Sequence, residues 1–188
     1  MPKHLLSSCA KVMAVAAIAQ PCREQRADMS NRASIAALLQ ELDRRSPAGF
    51  AIALHIRFTT PTYLFQTYPK DWMDYYSAAG LVMHDPTVHW GFHNLGYISW
   101  TELEKIDPQG VLEKARGFGI MNGVAIAVLL ERSRSIASFA RADREYEEAE
   151  MQELEDLLAR LHHATLHLGP LSASDQQALT ELSIKLTH

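Results

Sequence analysis

The chain is poor in the residues that would announce a chemistry. It holds two cysteines, Cys9 and Cys22, both near the start, so neither a disulfide framework nor a cysteine zinc site can be written from it. No apolar run reaches the roughly 18 residues that a membrane-spanning helix needs. Cationic residues do not dominate: the formal net charge is −4, which argues against a nucleic-acid binder standing alone. Also missing are a glycine-rich phosphate loop and a serine–histidine–aspartate order, so catalysis is not expected. His89 and His93, like His163 and His167, lie four apart, but no third ligand at a familiar spacing completes either pair. No cofactor or metal is expected.

The composition that remains is that of one folded domain. At 188 residues with 47% apolar side chains, a full core is within reach. Its margins read differently. Lys3 precedes a weakly apolar stretch, Val12 to Ala19, which resembles a signal peptide, although Lys11 shortens the apolar part. Pro21 to Asp28 is polar, and Met29 stands just before the first convincing helix. Residues 1–28 are therefore expected to lie outside the fold, residues 29–170 to form the domain, and a cytoplasmic location follows.

Periodicity gives the order of elements. Ile35, Leu38, Leu39 and Leu42 form a helical stripe, broken at Ser46-Pro47-Ala48-Gly49. From Phe50 to Phe58 bulky and smaller residues alternate: Phe50, Ile52, Leu54, Ile56 and Phe58 against Ala51, Ala53, His55 and Arg57. That is a strand, and Thr62 to Thr67 pairs back on it as a hairpin. Helices follow over Trp72 to Ala79, from Asp85-Pro86 to His93, and from Asp107-Pro108 to Gly117. Tyr97 to Trp100 reads as a short extended piece. Gly123 to Leu130 and Ser135 to Ala142 are two further strands, and Asp143 is expected to cap a long helix to Leu168. The sum is an α/β fold with a central antiparallel sheet and helices on its faces.

One stretch carries chemistry. Trp72 and Tyr76 lie four apart and share a helix face; Asp85 and Pro86 follow, then Trp100. An indole N–H only donates, an ionised carboxylate only accepts, and a phenol does either. Together on apolar surroundings they could hold a small amphiphile with carbonyls and an amide. The plainer reading is a core aromatic pair followed by an Asp-Pro helix start.

The ordered set Tyr68, Trp72, Tyr76, Asp85, Pro86 and Trp100, followed by Phe118-Gly119-Ile120 and Gly123, resembles the LuxR-type autoinducer-binding domain. The resemblance runs from about Ala33 to Leu168. It implies a PAS/GAF-like α/β/α sandwich in a quorum-sensing transcriptional regulator, holding an N-acyl-homoserine lactone between sheet and helices. By residue, it implies Trp72 at the lactone carbonyl and Asp85 at the amide N–H. Tyr76 and Tyr68 fall near the acyl carbonyl, and Trp100 against the ring. Val88, Leu112, Ala115, Ala125 and Phe139, with Leu54, Tyr63 and Phe65, are the expected walls of the acyl tunnel. Phe139 stands where the family often has a smaller polar side chain, and Ala127 where a proline is common.

Residues 171–188 look like the opening of the family's helix-turn-helix domain, with no recognition helix after it. The expectation is a receptor that forms a homodimer, or a heterodimer with a full-length regulator, through the long helix and does not bind DNA directly. Two rivals stand: a module that needs no ligand or senses another small amphiphile on the same scaffold, and an unrelated PAS/GAF-like sensor.

Overall fold

Helix, two strands, a helical middle, two strands and a final long helix are the order found in the computed structural model, which describes residues 31–166, 168, 174, 177 and 178. The described residues from Ile35 onward belong to one compact unit; of the unit before it only residues 31–34 are described, and these are helical. The expected boundaries at 28/29 and 170/171, and His167, lie outside the described residues.

Five antiparallel strands build the sheet: β1 (Gly49–Ile56), β2 (Tyr63–Gln66), β3 (Gly96–Ser99), β4 (Asn122–Leu130) and β5 (Ser133–Arg141), in the order β2-β1-β5-β4-β3. The two faces differ sharply in side-chain size. Phe50, Ile52, Leu54, Phe65, Val124, Ile126, Val128 and Phe139 pack with Ile35, Leu38, Leu39 and Leu42 of α1 (residues 35–45) and with Leu154, Leu158 and Leu161 of α6 (Glu148–Thr165). This is the main core. Through the two-residue period, the opposite face carries the alternate positions, and most of these on the central strands are small. Ala51 pairs with Ser138, which pairs with Ala125; Ala53 pairs with Ile136, which pairs with Ala127. Small residues hollow out that face.

The helical middle covers the hollow. It consists of α2 (Lys70–Ala78), α3 (Pro86–His93), α4 (Trp100–Leu103) and α5 (Val111–Arg116), with single 3-10 turns at Leu81–Met83 and Glu104–Ile106. Close approach is forced at two glycines. A Cβ on Gly91 would lie 2.6 Å from Ile136 Cγ2, and one on Gly123 would lie 2.3 Å from Trp100 Cε2. Both contacts are far inside van der Waals distance, so α3 rests on β5, and the indole on β4, only because the side chain is absent.

Several sequence boundaries move. The helix expected from Asp107-Pro108 begins at Val111; Asp107 still serves it, its Oδ2 accepting from the Leu112 N–H at 2.8 Å. Asp143 does not cap the last helix but pairs with Arg141, and the helix starts at Glu148 on a reciprocal capping box between Glu147 and Glu150. Trp100 opens α4 instead of closing an extended piece, with the Ser99 side chain as its cap. The first strand stops at Ile56. A register shift between Ala53 and Ile56 turns His55 (φ +54°) inward and leaves Phe58 wholly exposed.

The turned-in His55 meets a polar group of its own beside α6. Its Nδ1 lies 2.9 Å from Ser133 Oγ and its Nε2 2.8 Å from Thr165 Oγ1. The His162 ring lies tilted 4.3 Å away, its Nδ1 held 2.8 Å from Ser135 Oγ and its Nε2 without a hydrogen-bond partner among the described residues. Burial, with His55 and His163 next to it, pushes His162 down to about 4.

Candidate ligand-binding site

The hollow under the helical middle encloses a cavity of about 270 Å³. Its floor is Ala51, Ala53, Ile136 and Ser138 of the sheet; its roof is Trp72, Met73 and Tyr76 of α2, Thr87, Val88 and Phe92 of α3, and Val111, Leu112 and Ala115 of α5. On its wall Asp85, Tyr76 and Thr87 are joined by hydrogen bonds, as are Tyr68, Trp100 and Ser138, and most of the rest is apolar. Few polar groups in a mostly apolar hollow is how small-molecule sites are built.

Asp85 anchors the first of these groups. Its backbone caps the start of α3, two residues after the 3-10 turn ends at Met83, with Pro86 at the first helical position. Its Oδ1 accepts from the Thr87 N–H at 2.8 Å and from the Thr87 hydroxyl at 2.7 Å. Its Oδ2 accepts from the Tyr76 hydroxyl, also at 2.8 Å. The side chain is thus both a helix cap and a cavity group. Burial pushes the carboxyl above its usual range, while the bonds from Thr87 and Tyr76 pull the other way. Burial and the nearby Asp85 raise the Tyr76 phenol, which therefore stays a neutral donor.

Trp72 stands one turn before Tyr76, with the ring centroids 5.5 Å apart. Phe118 supports it at 5.4 Å. The indole is 6% exposed, yet among the described residues its Nε1–H donates to no protein group. It is a donor on the wall of the hollow with nothing to bind. Trp100 differs: its Nε1–H donates to Ser138 Oγ at 3.2 Å. The Tyr68 hydroxyl donates to Ser138 as well, 3.1 Å from its carbonyl and 3.3 Å from its Oγ. Ser138 therefore ties Tyr68 and Trp100 to the sheet.

Of the residues expected at the site, Tyr68, Trp72, Tyr76, Asp85, Val88, Trp100, Leu112 and Ala115 line this cavity. Ala125 lies in the same apolar cluster but not on the wall. Phe139 is a correction. It pairs with Phe50 and Val124, both on the bulky face, and packs in the core under α6, its ring 6.2 Å from Phe50. Leu54, Tyr63 and Phe65 belong to that core too and do not reach the cavity. Unanticipated wall residues are Ala51, Ala53, Leu64, Thr87 and, most of all, Ser138. The signal for them was the run of small residues alternating with bulky ones.

The fold is α/β with a cavity between sheet and helices, and residues 49–168 match the family model described as the autoinducer binding domain; the chain belongs to that family. Among curated relatives it is similar to the transcriptional activator protein SolR of Ralstonia nicotianae, at 31% identity over 107 residues covering 55% of this chain and 45% of SolR. It is also similar to the regulatory protein SdiA of Escherichia coli, at 31% over 88 residues covering 46% of this chain and 37% of SdiA. The matches thus span less than half the length of these regulators. Among solved structures, SdiA in complex with octanoyl-rac-glycerol superposes with a TM-score of 0.54 at 23% identity, covering 100% of this chain and 84% of that one. The solution structure of E. coli SdiA residues 1–171 gives 0.54 at 23%, covering 86% and 99%. These likenesses establish the fold. Among the described residues no helix is long and apolar enough to cross a membrane, and no group of three or more His, Cys, Asp or Glu is placed to hold a metal.

Proposed function

We propose that this domain is the ligand-sensing part of a quorum-sensing regulator and that its cavity takes an N-acyl-homoserine lactone. The observation that carries the reading is a pair of complementary groups lining the cavity: the indole N–H of Trp72, which has no partner among the described residues, and the buried carboxylate of Asp85. In this reading Trp72 donates to the lactone carbonyl. Asp85 Oδ2 accepts from the amide N–H while keeping its bond from Tyr76. Tyr76 and Tyr68 stand near the acyl carbonyl, and Trp100 walls the ring. Val88, Leu112 and Ala115 flank the head and the start of the tail. Each methylene buried adds about 0.8 kcal/mol, so an eight-carbon tail contributes roughly 5 kcal/mol before ordering costs.

Thermal unfolding of the purified chain tests this against acyl-homoserine lactones, with octanoylglycerol and octanoate alongside. A lactone at 100 times its dissociation constant should add about 2.7 kcal/mol, a shift of several degrees. No shift with any lactone would overturn the assignment, and a shift with octanoylglycerol alone would move it to another neutral acyl amphiphile.

The same reading places the domain in the cytoplasm as half of a dimer, with its own copy or with a longer regulator of the family, through α6. Co-purification of differently tagged chains tests it; failure to form either dimer would contradict it.

A further inference from the structure

The end of α6 is fastened to the sheet through imidazoles and hydroxyls. His55 Nε2 meets Thr165 Oγ1 at 2.8 Å, and His162 Nδ1 meets Ser135 Oγ at 2.8 Å. Just past the helix the Leu168 carbonyl accepts from the Tyr63 hydroxyl at 2.9 Å. Both imidazoles are buried, His55 to 7% exposure and His162 to 0%, and the ring centroids are 4.3 Å apart.

These bonds suit neutral rings. Thr165 Oγ1 gives its hydrogen to the Leu161 or the His162 carbonyl, at 2.8 and 3.0 Å. His55 Nε2–H therefore donates to it, and His55 Nδ1 is left to accept from the Ser133 hydroxyl. Ser135 Oγ accepts from the His55 backbone N–H at 3.1 Å and keeps its own hydrogen for His162 Nδ1. His162 Nε2 has no hydrogen-bond partner among the described residues in either tautomer. A second proton on either ring would set a donor against a hydroxyl hydrogen and a charge beside the other ring. No counter-charge stands by. Arg57, next along from β1, acts against a proton on His55, and His163 of α6, with its ring 6.0 Å away, against one on His162. Tyr63 of β2 lies edge-on to His55 at 5.9 Å. Arg134 of β5 donates instead to the Gly91 and Asn94 carbonyls, and Glu131 and Arg132 in the turn before β5 are exposed. Among the described residues no carboxylate acts on either ring, and only the backbone of Leu130 and of His162 favours a proton there.

We propose that His55 and His162 form an acid-released clasp: while neutral they hold the last turn of α6 against the sheet, and protonation frees that turn while the sheet stays formed. The clasp does not depend on what the cavity binds. Burial, with His55 and His163 next to it, holds His162 at about 4 when docked, against 6.5 for a free ring. The docked ring is neutral and the freed ring takes a proton. The freed state therefore gains as pH falls through 6.5, and the gain levels off below about 4. Between pH 7 and pH 5 the freed fraction should rise about tenfold to twentyfold.

Amide hydrogen exchange of the full chain tests this, read by NMR at pH 7 and pH 5 in low urea and corrected for the intrinsic pH dependence of exchange. Amides of the last turn of α6, His162 to Thr165, should lose about tenfold in protection at pH 5, through an opening that urea does not promote. Amides of β4 should exchange only through the urea-dependent global route. His162→Phe takes no proton at either pH, so the last turn should be equally protected at both. His162→Gln is the second variant, smaller and also uncharged, for the case in which the phenyl ring prevents folding. Equal protection of the last turn at both pH values in the unmodified chain would overturn the clasp. So would a loss at pH 5 that persists in the variants, or a last turn that opens only together with β4.

Discussion

Replacing Asp85 with asparagine separates the two tasks the carboxylate performs. Its Oδ1 holds the Thr87 N–H and hydroxyl at 2.8 and 2.7 Å, and its Oδ2 holds the Tyr76 hydroxyl at 2.8 Å. An asparagine oxygen placed at Oδ1 keeps both bonds from Thr87. The amide nitrogen then takes the Oδ2 position, and the Tyr76 hydroxyl turns to accept from it. Charge-assisted bonds become neutral ones, a loss of about 1 kcal/mol each. Relief from burying a charge offsets part of this, and burial is the leading influence on this carboxyl. Stability should therefore move by no more than about 1 to 2 kcal/mol. Binding fares worse. A ligand N–H aimed at Oδ2 would meet an N–H₂, losing a charge-assisted bond and leaving a buried donor unpaired. That costs about 2 to 3 kcal/mol, or about 30- to 150-fold in Kd. Urea unfolding at pH 7 reads the first quantity, and calorimetric titration with octanoyl-homoserine lactone reads the second. Unchanged affinity would refute the reasoning. So would a stability loss as large as the binding loss, which would make Asp85 a helix cap and nothing more.

Gly123→Ala should cost about 1 to 3 kcal/mol of stability, because its Cβ would sit 2.3 to 2.7 Å from three atoms of the Trp100 indole. The displaced ring should also lose its bond to Ser138 and weaken lactone binding at least tenfold, read by denaturation and titration together. Acid should loosen the opposite face. His162 is held at about 4 in the folded chain against 6.5 for a free imidazole, so the unfolded chain binds the extra proton. Stability is then complete above pH 6.5 and falls as pH drops toward 4, by about 1 to 3 kcal/mol. Urea midpoints at pH 7 and 5 check this; a midpoint higher at pH 5 would contradict it.

Much of this architecture was legible in the sequence because its signals are local and periodic. The alternation from Phe50 to Leu54, the apolar run of β4 and the leucine stripe of α6 each specify an element and its buried face. The polar groups of the site were legible through Trp72, Tyr76 and Asp85, whose spacing follows from one helix and the cap of the next. What was misread turned on parity. Phe139 and Ser138 are neighbours, and in a strand neighbours face opposite ways, so taking Phe139 as tunnel wall put the wrong one of the two in the cavity. The alternation in β1 already carried the answer, since Ala51 and Ala53 share a face with Ser138. The inward turn of His55 could not be read, because a bulge is an irregularity that no period announces. The start of α6 moved from Asp143 to Glu148 because Arg141 engages Asp143, a pairing set by the strand before it.

The claim beneath all of this is that the Trp72 indole and the Asp85 carboxylate hold one polar head. The indole N–H reports on it directly, since it has no partner in the free cavity among the described residues while the Trp100 N–H donates to Ser138. With the chain's three tryptophans labelled with nitrogen-15 and assigned by single substitutions, the indole signals would be followed as octanoyl-homoserine lactone is added. The account predicts a large downfield proton shift of the Trp72 signal, lost in Asp85→Asn at the same ligand concentration, with the Trp90 signal unmoved. A Trp72 signal unchanged at saturating ligand would contradict it.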